Sequence, residues 1–91
     1  MDNKVIITVL GSDRSGIVAA VSGVLADCDA NILDISQTIL QDIFTMTMLV
    51  SLNDAQADFP VLDDKFKALA EKLGVQIQMQ RESVFQYMYR L

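Results

Sequence analysis

Two ten-residue segments separated by Gln41-Asp42 constrain the fold of this chain more than any other feature of its sequence. Both segments, 31–40 and 43–52, are rich in β-branched and apolar residues. Such runs joined by two residues predict an antiparallel hairpin in which paired residue numbers sum to 83. One face of it would pair Leu33, Ile35, Gln37 and Ile39 with Val50, Met48, Met46 and Phe44, and the other would pair Ser36 and Thr38 with Thr47 and Thr45. The contrast between a mostly apolar and a mostly hydroxyl face predicts a sheet that is covered on one side.

The chain before the hairpin predicts one strand and one helix. Residues 4–10 are β-branched or apolar and are bounded by Gly11, which is typical of a central strand. From about Ser15 to Cys28 apolar residues recur at the spacing of one helical face. Asp13 or Ser15 is expected to cap this helix, because a short side-chain oxygen accepts hydrogen bonds from first-turn amides.

The chain after the hairpin predicts a second helix and a fourth strand. Residues 53–57 form a short polar loop, and Pro60 is expected in the first helical turn, where proline is tolerated. Gly74 is the expected C-terminal stop. Residues 75–80 then alternate apolar side chains with glutamines, as a strand does.

The order strand, helix, strand, strand, helix, strand predicts an α+β fold, the ferredoxin-like βαββαβ sandwich. Its antiparallel four-stranded sheet would carry both helices on one face. The open face would present Ser36, Thr38, Thr45, Thr47, Gln76, Gln78 and Gln80. Residues 1–91 are expected to form one domain, with an apolar tail, 82–91, that covers part of the open face on its own chain or contributes to an oligomer interface.

Composition excludes several classes of function. Seven basic and twelve acidic residues give a net charge of -5, which argues against direct nucleic-acid binding. The absence of histidine removes the commonest metal ligand and general base, so we expect no metal, no cofactor and no catalytic residue. Apolar runs are too short to span a membrane, and the first residues lack an export signal, so a cytoplasmic protein is expected.

The segment between the first strand and the first helix is the candidate site. A helix N-terminus offers unpaired amides and a partial positive charge, so residues 12–17 can hold an anion. Gly11 and Gly16 have the spacing of a nucleotide-binding loop, but Ile17 stands where that loop needs lysine. The GxGxxG and CxxC motifs are absent, and the predicted open face lacks the aromatic residues of RNA-binding sheets.

The stretch VLGSDRSGIVAAVS, residues 9–22, followed by Ala30-Asn31-Ile32, resembles the ACT domain family, which carries a D-R-x-G-(I/V/L) turn before an apolar helix. The chain is most similar to small stand-alone ACT proteins and to the N-terminal ACT module of the glycine cleavage system transcriptional repressor. Ser15 stands where the family usually has proline.

The resemblance implies that a small molecule, typically an amino acid, binds between paired domains, at the loop of one chain and strand 2 of the other. It places Asp13 and Asn31 at ligand-contacting positions and Gly16 where the backbone comes close to the ligand. Amides near Gly16 and Ile17 suit a carboxylate, and the oxygens of Asp13 and Asn31 suit an ammonium group. The candidate ligand-binding residues are therefore Ser12, Asp13, Arg14, Ser15, Gly16, Ile17 and Asn31.

Three functions stay open at this point. The first is a non-enzymatic sensor, a homodimer or larger, that binds an amino acid and acts on a separate, unidentified protein. The second is a ligand-free homo-oligomeric scaffold, in which Asp13 is only a helix cap and Asn31 only a turn residue. The third, an acylphosphatase-like hydrolase, is suggested by Arg14 and Asn31, but the chain lacks that family's V-Q-G-V loop.

Overall fold

A computed structural model of the chain describes residues 4–12, 16–53 and 55–81, and for residues 55–57 it describes the backbone alone. Six elements follow one another in the predicted order. They are β1 (Lys4–Ser12), α1 (Ile17–Asp27), β2 (Asn31–Leu40), β3 (Ile43–Ser51), α2 (Ala55–Leu73) and β4 (Gln76–Arg81). The first strand is therefore two residues longer than expected, and Gly11 lies within it instead of ending it.

The four strands form one antiparallel sheet in the order β2-β3-β1-β4, which confirms the ferredoxin-like βαββαβ fold. Both helices pack on the same face of the sheet. The side chains between sheet and helices lose nearly all contact with solvent, and they include Val5, Ile7, Val9, Met46 and Met48 from the strands and Ile17, Val21, Leu25, Leu62 and Phe66 from the helices. No polar or charged residue of the described chain is buried there.

The predicted hairpin register is confirmed from Asp34 to Leu40, where every pair sums to 83. Closer to the start of β2 it is wrong, because a β-bulge lies between Ile32 and Asp34. Ile32, and not Leu33, therefore lies opposite Val50. Gln41 occupies the left-handed region with φ of 57°, which lets two residues close the hairpin although neither is glycine.

Helix α1 is shorter than predicted at both ends, and its C-terminal end has a recognisable cap. The amide of Ala30 donates to the carbonyl of Leu25 at 2.9 Å, and that of Asp29 donates to Ala26 at 3.1 Å. With Asp29 left-handed at φ of 58°, this is a Schellman motif. Gly74, at φ of 70°, ends α2 as predicted.

Helix α2 begins five residues before Pro60, so the predicted loop at 53–57 and the placement of Pro60 in the first turn are wrong. The proline lies inside the helix and withholds one backbone donor. Phe59 stabilises the extra turn, because it packs against the core and its ring lies 4.6 Å below the guanidinium of Arg81. Neither helix that the structure describes is long and apolar enough to cross a membrane.

The open face is less polar than the sequence predicts. The hydroxyl pairs Ser36–Thr47 and Thr38–Thr45 are present as expected, and the glutamines of β4 share their face. Apolar residues lie at both ends of this face, however. Ile6 and Leu49 are paired at one end, and Leu10, Leu40 and Ile43 lie towards the other.

Candidate ligand-binding site

Gly11, the first glycine of the predicted loop, is required by packing inside the chain. A Cβ atom at this position would lie 2.5 Å from Cγ1 and 3.0 Å from Cβ of Val75. Val75, just before β4, is buried. The absence of a side chain at Gly11 is therefore what allows this residue to pack against β1.

Gly16, the second glycine, has no such role. It is the N-cap residue of α1, with φ of -86° and ψ of -7°, values that any residue adopts. A Cβ atom built on it would meet no atom of the described residues within 4 Å. Glycine is a favoured N-cap residue, but packing within the described chain does not require it here.

Among the described residues, no side chain caps the start of α1. The expected caps, Asp13 and Ser15, lie outside the described residues together with Arg14. The N-cap position belongs to Gly16, which has no side chain that could accept hydrogen bonds from the first-turn amides. The first turn contains no acidic residue. Ile17 is fully buried, so among the predicted contacts it can provide only backbone atoms.

Asn31 lies at the opposite end of the sheet from this loop. It pairs with Ser51, which pairs with Lys4, whereas Ser12 lies at the other end of β1. Eight residue steps along a strand, at about 3.3 Å each, separate the two ends by about 26 Å. Within one chain, the structure does not bring Asn31 and the loop together.

A pair of polar residues that the sequence analysis missed fixes the chain just before Asn31. The side-chain nitrogen Nδ2 of Asn53 donates to Oδ2 of Asp29 at 2.7 Å and to the backbone carbonyl oxygen of Asp29 at 3.2 Å. These bonds tie the start of β2 to the chain that follows β3. Asp29 could have been found from the sequence, because it follows the predicted helix and comes two residues before the predicted strand. Aspartate tolerates the left-handed conformation that often ends a helix.

A cleft of about 350 Å³ lies beside Ser12. It forms because β4 pairs with β1 only as far as Leu10, so the last residues of β1 extend beyond it. Its lining is mostly apolar or glycine and comprises Leu10, Gly11, Ser12, Ile43, Gly74, Val75 and Gln76. Because Ser12 is one of the lining residues, the cleft lies next to the start of the candidate loop.

Strand β2 forms one edge of the sheet and is exposed along its entire length. It is not a polar edge. Ile32, Leu33, Ile35, Ile39 and Leu40 are all exposed, with Leu40 reaching 70%. A ten-residue edge with five exposed apolar side chains, and with no further strand beside it among the described residues, is a surface on which another strand can pair.

The comparison with known sequences gives the family. A sequence model described as an ACT domain matches residues 3–80. This chain belongs to the ACT domain family. A UPF0237 protein of Methanocaldococcus jannaschii is 48% identical to it over 89 residues, which cover 98% of this chain and 99% of the relative.

Solved structures agree with this assignment. An ACT domain protein from Streptococcus pneumoniae is 47% identical and superposes with a TM-score of 0.81 over 98% of this ACT domain and 100% of that chain. A protein assigned as a glycine cleavage system transcriptional repressor is 24% identical, with a TM-score of 0.77 over 86% of this chain and 44% of that one. The second likeness shows a shared fold alone. ACT domains are regulatory modules that bind small ligands.

Proposed function

We propose that this ACT domain senses a free amino acid, which binds between two copies of the chain and so favours their association. The carboxylate of the ligand binds the backbone amides at the start of α1 in one chain. Asn31 of the second chain, together with Asp13 of the first, accepts hydrogen bonds from the ammonium group. The paired state then acts on a separate protein, because a ligand shifts an equilibrium by its differential affinity for the two states.

The observation that carries this proposal is that no described atom lies within 4 Å of a Cβ built on Gly16. Because glycine has no side chain, an outside group can approach the backbone closely at this N-cap. An anionic group is the favoured ligand at this position, because the N-terminus of α1 carries a partial positive charge and the first turn of α1 contains no carboxylate.

The separation of Asn31 from the loop supports a site made by two chains. If two copies pair their β2 edges about a two-fold axis perpendicular to the sheet, the two β2 strands run antiparallel. Asn31 of one chain then lies at the same end of the joined sheet as the loop of the other. Asn31 and the loop, which are far apart within one chain, would thus lie closer together between the two chains of a dimer.

The cleft beside Ser12 supports an amino acid as the ligand class. Its volume of about 350 Å³ exceeds that of a free amino acid, and its walls include Leu10, Ile43 and Val75. Small-ligand sites are commonly apolar spaces with a few polar groups that fix orientation. An apolar side chain of the ligand would contact these walls, while its charged groups bind at the loop.

A ligand-free scaffold is the second candidate, and the exposed apolar edge of β2 favours it, because such an edge can pair without any ligand. Replacing Asp13 and Asn31 together by alanine separates the two functions. If the protein is a sensor, the double variant no longer responds to amino acids. If it is a scaffold, the double variant associates as the wild type does, and neither protein responds to amino acids.

Thermal unfolding in the presence of each amino acid tests the sensor directly. At a hundredfold excess of ligand over its Kd, binding stabilises a protein by about 2.7 kcal/mol. For a domain of this size we expect a rise in Tm on the order of ten degrees. If no amino acid raises the Tm, the sensor proposal is wrong.

Two glycine variants make the test specific to the site. Gly16→Ala changes the stability of the free chain by no more than about 1 kcal/mol, because its Cβ meets open space, but it abolishes the ligand-induced rise. Gly23→Ala is the matched control on the same helix, where an added Cβ also lies more than 4 Å from the surrounding described atoms. It raises the Tm of the free chain through helix propensity and leaves the response to ligand intact.

A further inference from the structure

We infer that the C-terminal segment, residues 82–91, packs across the open face of its own chain, over Ile6 and Leu49. This inference is independent of the proposed ligand. It starts from the place where β4 ends. Arg81 lies opposite Val5, and Gln80 lies opposite Ile6, so β4 ends at the end of the sheet that carries Ile6.

One row of residues crosses the sheet directly from this exit point. On the open face Gln80 of β4 is followed by Ile6 of β1, Leu49 of β3 and Asp34 of β2. The two central members of the row are apolar side chains on a face that the described helices do not cover. They are the apolar surface nearest to the start of the segment.

A small cavity lies on the same row. It measures about 130 Å³ and is lined by Ile6, Asp34, Ile35, Ser36, Thr47 and Leu49. Cavities of about 150 Å³ hold a benzene-sized group. The cavity therefore has the size to receive one apolar side chain from above.

The segment has the composition and the reach to cover this row. Four of its apolar residues, at positions 84, 87, 88 and 91, recur at the spacing of one helical face. A helix of ten residues is about 15 Å long. The three strand spacings from β4 to β2 amount to about 14 Å. As a helix, the segment would match the width of the sheet and present these four residues to it.

Charge fixes the direction of the crossing. Asp34 at the far end of the row carries the one carboxylate on the open face of the described strands, and one of its oxygens accepts from the amide of Ile35 at 2.9 Å. The segment carries Arg90 near its own end. A segment that runs from β4 towards β2 brings this guanidinium to Asp34.

Tyrosine fluorescence tests the inference in the unmodified protein. The chain has no tryptophan, and both of its tyrosines, Tyr87 and Tyr89, lie in the segment. Acrylamide quenching therefore reports on residues 82–91 alone. We expect a quenching constant at least threefold below that of a free peptide of residues 82–91. Equal quenching of protein and peptide would overturn the inference.

Substitutions on one strand locate the contact. Ile6→Gln raises the quenching constant towards that of the peptide, and Leu49→Gln does the same from the neighbouring strand. Leu10→Gln, on the same face of β1 but four residues away, leaves it unchanged. If Leu10→Gln exposes the tyrosines and the other two variants do not, the segment lies elsewhere.

Dilution distinguishes the chain's own segment from that of a neighbour. Protection of the tyrosines persists when the protein is diluted until sedimentation shows monomers. Loss of protection in parallel with loss of association would mean that a second copy holds the segment, which contradicts the inference.

Discussion

Two glycines in one short segment serve different purposes, and only the structure separates them. Gly11 makes room for Val75, whereas Gly16 borders open space. In the sequence both are loop glycines before an apolar helix, and the family resemblance alone gives a role to Gly16. The close contact at Gly11 could not be predicted, because its partner lies sixty-four positions later in the chain.

Gly11→Ala is predicted to destabilise the fold by about 1–3 kcal/mol, because the new methyl group overlaps Val75 in a well-packed region. For a domain of this size the Tm falls on the order of ten degrees. Thermal or urea unfolding followed by circular dichroism measures the change.

A double-mutant cycle with Val75→Ala shows whether the contact itself is responsible. Removing the Cγ atoms of Val75 makes room for the new methyl group. The loss in free energy of unfolding of the double variant should therefore be at least about 1 kcal/mol smaller than the sum of the losses of the two single variants. Additive losses would show that Gly11 is needed for another reason.

At the scale of elements, hydrophobic periodicity predicted all six helices and strands but not their irregularities. The hairpin register was correct from Asp34 onwards and failed at the bulge, because Ile32 and Leu33 are both apolar and the sequence does not show which of them faces Val50. The start of α2 was placed too late because Pro60 normally favours a first turn, while the packing of Phe59 supports a further turn before it.

The β2 edge is the element that the proposed pairing uses, so a charge on it should prevent association. Ile39, which is 57% exposed, would contact the partner strand, and burying an isoleucine contributes about 1.5–3 kcal/mol. Ile39→Lys is predicted to weaken the dimer at least tenfold, measured by sedimentation equilibrium.

Val61→Lys is the matched control for this change. Val61 is exposed to a similar extent, 51%, but belongs to α2 and not to the edge strand. The same charge placed there should leave association unchanged. Equal weakening by both variants would indicate a general effect of charge and would contradict pairing through β2.

At the scale of the whole molecule, the order of elements was enough to predict the architecture. A strand-helix-strand unit repeated around a hairpin leaves one reasonable antiparallel sheet, and the observed order β2-β3-β1-β4 is that sheet. The site could not be predicted as completely. Asn31 and Ser12 lie at opposite ends of the sheet, so in the proposed site their relation depends on a second copy that the sequence does not specify.

The central claim, that two chains share each binding site, predicts complementation between two defective variants. Gly16→Ala removes the loop contribution, and Asn31→Ala removes the strand contribution. A mixed dimer retains one intact site, built from the loop of the Asn31→Ala chain and Asn31 of the Gly16→Ala chain. Random pairing of equal amounts therefore restores about a quarter of the wild-type sites.

Isothermal titration calorimetry, with the amino acid that most raises the Tm of the wild-type protein, measures this directly. We predict no detectable binding to either variant alone and binding to about a quarter of the sites after the two are mixed and allowed to exchange chains. A mixture that exchanges chains but binds nothing, although the wild-type protein binds, would contradict a site shared between two chains.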